Sequence, residues 1–408
     1  MPNVTPIAEL PVPEPGEREI AATIARAAAA SEPLLVCGNA SKIGMLRPVQ
    51  AAHRLSTSNH SGITLHSPTE LVLTARAGTP IAEITATLAD HGQHLIAEPP
   101  DLSMLFQSQE QPQTLGGVVA TNLSGPRRIA WGATRDHVLG VRAVTGWGEV
   151  IHSGGRVLKN VTGLDLCKLL TGSHGTLAVI TEVTLKVLPA PEATGTVVIP
   201  GLDALAGVAA LSRALGSPFG VSAAAWLPQA SAALVPELAA FRQPVALLRI
   251  EDFRRSVSYR TGKLRETLGF SAAILDDAAS RSVWRAVRDV RPLPLKPNDA
   301  VWRVSVRPSA GPAVLQAVAE ADVRGFLDWG GGLVWLAGAA VAATHTAVET
   351  AARAARGTWT LMRAPEPLRA AVDVVPPEPP ALAALSRRVK AALDPHGILN
   401  PGRLYAGM

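Results

Sequence analysis

The stretch Thr114-Leu-Gly-Gly-Val-Val-Ala-Thr-Asn-Leu-Ser-Gly-Pro-Arg-Arg128 limits what this chain can fold into, because few of its side chains are large enough to fill a core. Gly116, Gly117 and Gly125 accept dihedrals that other residues avoid, and without side chains they let peptide N–H groups approach a phosphate. Thr114, Thr121 and Ser124 add hydroxyls, and Arg127 and Arg128 add charge. Taken alone, the Gly116-Gly117 pair reads first as a turn between strands.

A second glycine-rich stretch changes that reading. Lys159-Asn-Val-Thr-Gly-Leu-Asp165 leads into Leu170-Thr-Gly-Ser-His-Gly-Thr-Leu-Ala-Val-Ile-Thr-Glu182. After Gly175, Leu177, Val179, Thr181, Val183, Leu185 and Val187 alternate with their neighbours at the period of a strand, which Pro189 ends. Two backbone surfaces of this kind in one chain imply one extended ligand with phosphates in its middle. No Gly-x-Gly-x-x-Gly follows a strand and no Gly-x-x-x-x-Gly-Lys-Ser/Thr occurs, so a dinucleotide is held by neither a Rossmann turn nor a Walker loop.

The length, 408 residues at 47% hydrophobic content, exceeds one ordinary core and predicts two domains. Aromatics are only 4%, against a stacking platform for single-stranded nucleic acid. The +5 formal charge is spread over single arginines rather than a basic block, so it reads as a solvated surface and predicts no nucleic-acid partner. With Cys37 and Cys167 as the only cysteines, the chain cannot ligate an iron–sulfur cluster alone, and no disulfide framework exists. The start lacks a signal-peptide pattern and no run of about 18 apolar residues occurs. These features predict a cytoplasmic protein, with peripheral attachment to the membrane left open.

In chain order, a helix over 17–30 and a strand at Leu34–Cys37 precede Gly38-Asn39-Ala40-Ser41-Lys42, a small polar turn suited to a phosphate nest. Strand Leu71–Ala75, a helix capped by Thr79 with Pro80 first, and strand His94–Ala97 follow. Val138–Val144 and Glu149–His152 form a hairpin, and Arg135 with Asp136 reads as a surface ion pair. Beyond Pro191, strands and helices alternate to Met362, which predicts an α/β layer. Its one histidine, His345, lacks a helical partner, so no metal site is expected. Arg249, Arg303 and Arg307 are each able to clamp a carboxylate. Residues 365–380 read as an extended crossing before a last helix over 381–393, and His396 as a turn residue. No internal repeat is visible.

The runs Thr114–Pro126, Arg135–Val141, Gly155–Asp165 and Gly172–Leu188 resemble the FAD-binding domain of vanillyl-alcohol-oxidase-type flavoproteins (PCMH type). Together with Phe326–Leu336 and Leu393–Tyr405, they more closely resemble the FAD-binding accessory subunits of bacterial glycolate oxidases. The resemblance implies an α+β fold: a two-subdomain FAD-binding domain over 1–191, an α/β cap over 192–364, and a C-terminal segment, 365–408, that returns to the FAD domain. By the same resemblance, cofactor contacts fall at Gly38, Asn39, Ala40, Ser41, Lys42, Pro99, Thr114, Leu115, Gly116, Gly117, Ala120, Thr121, Ser124 and Gly125. Further along they fall at Arg135, Asp136, Gly163, Asp165, Gly172, Gly175, Thr176, Val179, Ile180 and Asn400.

Some relatives attach flavin through a histidine in the first loop; none lies between Gly38 and Gly44, so non-covalent FAD is expected. The cap lacks the Gly-Asp-Gly-Asn-x-His motif and paired histidines of members that oxidise 2-hydroxy acids, so no catalytic residue is assigned. The implied activity is a subunit's share in oxidising glycolate to glyoxylate. It implies as partners a second FAD-containing catalytic subunit and an iron–sulfur subunit. A self-sufficient FAD oxidoreductase of another 2-hydroxy acid or alcohol, and a structural subunit with a decayed flavin site, stand as alternatives. The second rests on a first loop with fewer glycines than the family usually has.

Overall fold

The computed structural model describes residues 15–156 and 163–408; the opening of the second glycine-rich stretch, 159–162, lies outside them. The helix Pro15–Ala30 buries Ile20, Ile24 and Ala27 against Leu34, Leu55, Val144, Val179 and Leu399. Strands β1 (Leu34–Cys37) and β2 (His53–Ser56) pair in parallel beneath it. β3 (Ile63–Ser67), β4 (Val72–Arg76), β6 (Val138–Thr145), β7 (Val150–Gly154) and β8 (Ala178–Lys186) form a five-stranded antiparallel sheet in the order β3-β4-β8-β6-β7. The hairpin and the long alternating strand are therefore where the sequence puts them. β5 is only Gln93–His94, paired with β9 (Leu188–Pro189), so the expected strand over 94–97 is mostly loop.

Thr79 does not cap the helix Ile81–Ala89. It is fully buried, and its hydroxyl accepts from the Gly62 amide at 2.9 Å, which leaves Pro80 at the cap. A larger departure concerns the opening stretch. Leu115–Thr121 is a short helix rather than an open turn, with Thr114 accepting from the Gly117 N–H at its start and Asn122 left-handed (φ 48°) at its end. Leu115, Val118 and Val119 give it a buried face, which outweighs the helix cost of the paired glycines.

The second lobe is an eight-stranded, wholly antiparallel sheet. It comprises β10 (Ala193–Pro200), β11 (Val221–Leu227), β12 (Val245–Asp252), β13 (Ala273–Leu275), β14 (Ala300–Ser305), β15 (Arg324–Asp328), β16 (Leu333–Gly338) and β17 (Thr358–Arg363). The order β13-β10-β12-β11-β15-β16-β14-β17 resolves into a ferredoxin-like βαββαβ unit, β10 to β13, and a second with the same internal order, β14 to β17. They meet where Trp226 of β11 pairs with Leu327 of β15. The lobe is thus a duplication, although no repeat is legible in the sequence. Helices cover both faces, and β11 and β16 are buried at every position, so the strands read as continuous apolar runs. That pattern explains why alternation of strands and helices suggested an α/β layer although every strand pair is antiparallel.

Residues 365–380 are not wholly extended, since Glu366–Ala371 is a helical turn whose Arg369 donates to the Leu46 carbonyl. The helix Pro380–Leu393 then sends the tail to β1. The Leu34 N–H donates to the Ile398 carbonyl at 2.7 Å and the Asn400 N–H to the Leu34 carbonyl at 3.0 Å. The Asn400 side chain accepts from the Val36 N–H at 2.7 Å and donates to the carbonyls of Val36 and His174. Asn400→Ala leaves those buried backbone groups unpaired and is expected to cost about 2 kcal/mol in chemical denaturation. A change within error would show the tail to be held by its backbone alone.

Candidate functional site

A cleft runs between the C-terminal end of β1, the loop 38–43, the helix Leu115–Thr121, the start of β8 and the tail. Its wall carries Lys42 and Arg403 and not a single carboxylate. The peptide N–H groups of Asn39, Ala40, Ser41 and Lys42 find no acceptor among the described residues, and Ala40 is left-handed at φ 59°, which turns successive amides toward one side. Gly38 is required there: a Cβ would lie 2.2 Å from Thr114 Oγ1.

The electrostatics call for an anion. Burial lowers the Lys42 ammonium to about 8, with Asp101 opposing, and its one hydrogen bond is a long one to Gln113 Oε1 at 3.4 Å. Arg403, lowered to about 10 by burial and then by Arg369, donates only to the carbonyls of Lys42, Ile43 and Arg47. Burial, reinforced by Arg403, brings His174 down to about 3, so its ring is neutral. Uncompensated buried cations beside unpaired amides are what a diphosphate completes, while Val36, Ala178, Val179 and Ile180 offer an apolar wall to a ring.

Of the residues expected to contact cofactor, the cleft gathers Gly38, Asn39, Ala40, Ser41, Lys42, Thr114, Gly116, Gly117, Ala120, Thr121, Gly175, Val179, Ile180 and Asn400. The glycines play different parts from those the sequence suggested. The Gly116 N–H is taken by the Ala77 carbonyl at 2.8 Å, and the Gly125 N–H by the Ala97 carbonyl at 2.9 Å. Cβ atoms on Gly116 and Gly125 would meet Ala77 Cβ at 2.7 Å and the Glu98 carbonyl at 2.4 Å, so these two serve close packing.

The other expected residues lie elsewhere. Leu115 is core; Ser124 is bonded to Thr134; Asp165 caps the helix Leu166–Leu170; Gly163 stands in open space. Asp136 caps its own turn through the Ala133 N–H, and the Arg135 backbone donates to Asn122, so neither reaches the cleft and no ion pair joins them. Pro99 lines a cavity between the lobes, and Gly172 and Thr176 line a third cavity behind the cleft. Sequence reasoning missed Cys37, Thr57, His174 and Arg403, of which His174 and Arg403 sit inside stretches already singled out.

Between the lobes lies a buried ion quartet. Arg249 forks onto Glu98 at 2.9 and 2.9 Å, and Arg127 onto Glu251 at 3.0 and 2.7 Å. Burial pushes both carboxyls up, but the facing guanidinium groups outweigh it and hold them below the usual carboxylate range. Next to it the Trp329 indole donates to the Gly125 carbonyl at 3.1 Å, with Arg128 and Arg303 stacked on the ring at 4.5 and 4.9 Å. Arg249 is thereby committed within the protein, Arg303 stacks on Trp329 with no hydrogen bond or ion pair among the described residues, and Arg307 points outward, exposed. His345 accepts from the Trp302 indole at 3.1 Å inside the core. No group of His, Cys, Asp and Glu able to hold a metal ion exists among the described residues.

A carboxylate-free cationic cleft on one lobe and a duplicated ferredoxin-like lobe beside it define a dinucleotide-cofactor protein of α+β type. Residues 15–154 match the FAD binding domain family and residues 378–404 the C-terminal domain of FAD linked oxidases. The chain is 34% identical over 378 residues to glycolate oxidase subunit GlcE of Escherichia coli, covering 92% of this chain and 93% of that protein. It is 41% identical over 98 residues to glycolate oxidase subunit GlcD of Bacillus subtilis, a match of only 20% of that protein. The fold superposes on alkyldihydroxyacetonephosphate synthase with a TM-score of 0.67 over 94% of this chain and 74% of that one, at 18% identity. The chain therefore belongs to the family of FAD-linked oxidase subunits that includes GlcE, and is an FAD-dependent oxidoreductase with the PCMH-type fold. Among the described residues no helix is long and apolar enough to cross a membrane.

Proposed function

We propose that this chain is the FAD-holding subunit of a multi-subunit glycolate oxidase, cytoplasmic, in which hydroxy-acid oxidation requires a partner. The observation that carries the reading is the contrast between the two sites: the cofactor cleft keeps its cations and free amides, whereas the charged groups of the quartet between the lobes are paired with one another beside Trp329. In this reading the domains divide at about 191 and 364. The Asn39–Lys42 amides and the Lys42 ammonium hold the diphosphate, and the Val179–Ile180 wall orients a ring against β8. Asn400 fixes the tail that closes the cleft, and Arg403 keeps the loop carbonyls turned away from the anion.

Bound FAD supplies a two-electron acceptor; the protein binds it, orients it and sets the surrounding charge. Glycolate loses a hydride equivalent and a proton to become glyoxylate. Because no group of His, Cys, Asp and Glu among the described residues can hold a metal ion, a second FAD-containing subunit is assigned that step and an iron–sulfur subunit the onward transfer. FAD is held non-covalently, so acid precipitation is expected to leave flavin in the supernatant. Flavin in the pellet would point to Cys37 or His174, which line the cleft. Co-expression with the neighbouring flavin and iron–sulfur subunits should yield one complex that oxidises glycolate, with the isolated chain inactive. Glycolate turnover by the isolated chain would overturn the subunit assignment.

A further inference from the structure

In the turn that leads into β8, His174 takes a left-handed φ of 54°, whereas the other two left-handed positions of that turn are glycines, Gly172 at 92° and Gly175 at 70°. A side chain is strained there and a glycine is not. The backbone of His174 is fixed on both sides: its N–H donates to the Ala120 carbonyl at 2.8 Å, and its carbonyl accepts from Asn400 Nδ2 at 2.8 Å. Gly175 beside it leaves no room for a Cβ, which would stand 2.9 Å from the same Nδ2.

Asn400 also bonds the Val36 backbone through both ends of its amide, so His174 is anchored at the edge of the apolar wall that Val36, Val179 and Ile180 give the cleft. Its ring makes no hydrogen bond among the described residues. Neither ring nitrogen is sealed from open space, unlike both ring nitrogens of His137, which are buried without a partner. A strained residue that brings an unspent donor and acceptor to a cleft points to a ligand contact.

Charge selects the part of the ligand. The diphosphate is met by the Asn39–Lys42 amides and the Lys42 ammonium. Burial, then Arg403, brings His174 down to about 3, so its ring offers one N–H donor and one bare nitrogen acceptor without charge. Such a pair matches the uncharged polar edge of a heteroaromatic ring, which FAD carries on both its adenine and its isoalloxazine. We propose that His174 is a specificity-determining residue of the cofactor site, its imidazole hydrogen-bonding the polar edge of the FAD ring that lies on the Val36, Val179 and Ile180 wall. The inference rests on the cofactor reading and adds to it the group that tells a nucleotide ring from a bare diphosphate.

The test is equilibrium dialysis of the full-length chain, freed of flavin, against FAD, ADP, FMN and inorganic pyrophosphate. His174→Ala is expected to weaken FAD binding by about 5- to 10-fold, the worth of one uncharged hydrogen bond, and to leave pyrophosphate binding unchanged. The loss recurs with ADP if the adenine lies on the wall and with FMN if the isoalloxazine does. A side-chain amide carries the same donor and acceptor, so His174→Asn restores affinity if Nδ1 makes the contact and His174→Gln if Nε2 does. His174→Gly should weaken FAD binding as alanine does without lowering the unfolding midpoint of the flavin-free protein, because glycine relaxes the left-handed φ. FAD affinity unchanged in His174→Ala, an equal loss with pyrophosphate, no recovery in either amide variant, or a lowered midpoint in His174→Gly would each overturn the proposal. Failure of the parent protein to bind FAD would instead overturn the cofactor reading itself.

Discussion

Arg249→Met is expected to destabilise the protein by about 3–5 kcal/mol, the cost of breaking a buried charge pair from one side. Arg249 is 1% exposed and faces two carboxylates, Glu98 at 2.9 Å and Glu251 at 3.2 Å. Removing it leaves two buried anions to share Arg127, whose contacts with them are 3.3 and 2.7 Å. The methionine also loses the stack of the guanidinium on Trp284, 5.0 Å from its centroid. Urea unfolding followed by tryptophan fluorescence measures the loss directly.

The pH dependence of that loss has a fixed sign. Both carboxyls are held low in the folded protein, so the quartet stabilises the fold above the ordinary carboxylate range and ceases to do so as pH falls through the depressed folded values. Without Arg249 those folded values rise. The gap between variant and parent should therefore narrow as pH drops below the ordinary carboxylate range, where the variant's carboxyls protonate and shed their burial penalty. A loss under about 1 kcal/mol at neutral pH would mean that water reaches the quartet.

Lys42→Met is expected to weaken FAD binding by about 10- to 100-fold, the loss of one charge-assisted contact in a cleft whose wall carries no carboxylate. Folding should be unharmed or improved, since the substitution deletes an uncompensated buried cation. The ammonium of the free protein titrates near 8, and a bound diphosphate raises that value. The affinity of the parent protein should then be level below pH about 8 and fall above it, while the variant shows no such fall. Equilibrium dialysis with FAD and with ADP separates the diphosphate from the ring: a shared loss places Lys42 at the diphosphate, and a loss confined to FAD places it at the isoalloxazine.

What the sequence revealed follows from how local each signal is. The strand Ala178–Lys186 carries its period in its own residues and stands where that period puts it. The loop Gly38–Lys42 lines the cleft because its composition leaves the backbone open. Gly116 and Gly125 misled, since a glycine pressed against Ala77 or Glu98 and one facing a phosphate look the same in sequence. Lys42 is recognisable as an anion ligand only once the cleft wall is known to carry no carboxylate, and that wall comes from residues as distant as Arg403.

The Phe326–Leu336 run hid more. Asp328 caps the turn through the Trp329 N–H, Trp329 takes a left-handed φ of 52°, and Gly330 and Gly331 continue at 67° and 105° between two strands. That turn drives the indole between Arg128 and Arg303, 4.5 and 4.9 Å from its centroid. Nothing local to the run announces it, because both arginines arrive from other parts of the chain.

The central claim is that this chain holds FAD in a site closed to hydroxy acid. Its most direct test is the absorbance spectrum of the purified chain, reconstituted with FAD if needed, before and after glycolate is added without oxygen. Flavin bands that persist unbleached, and bleach once the partner subunits are added, are the expected result. Bleaching by glycolate in the isolated chain, or failure to retain flavin after reconstitution, would contradict the account.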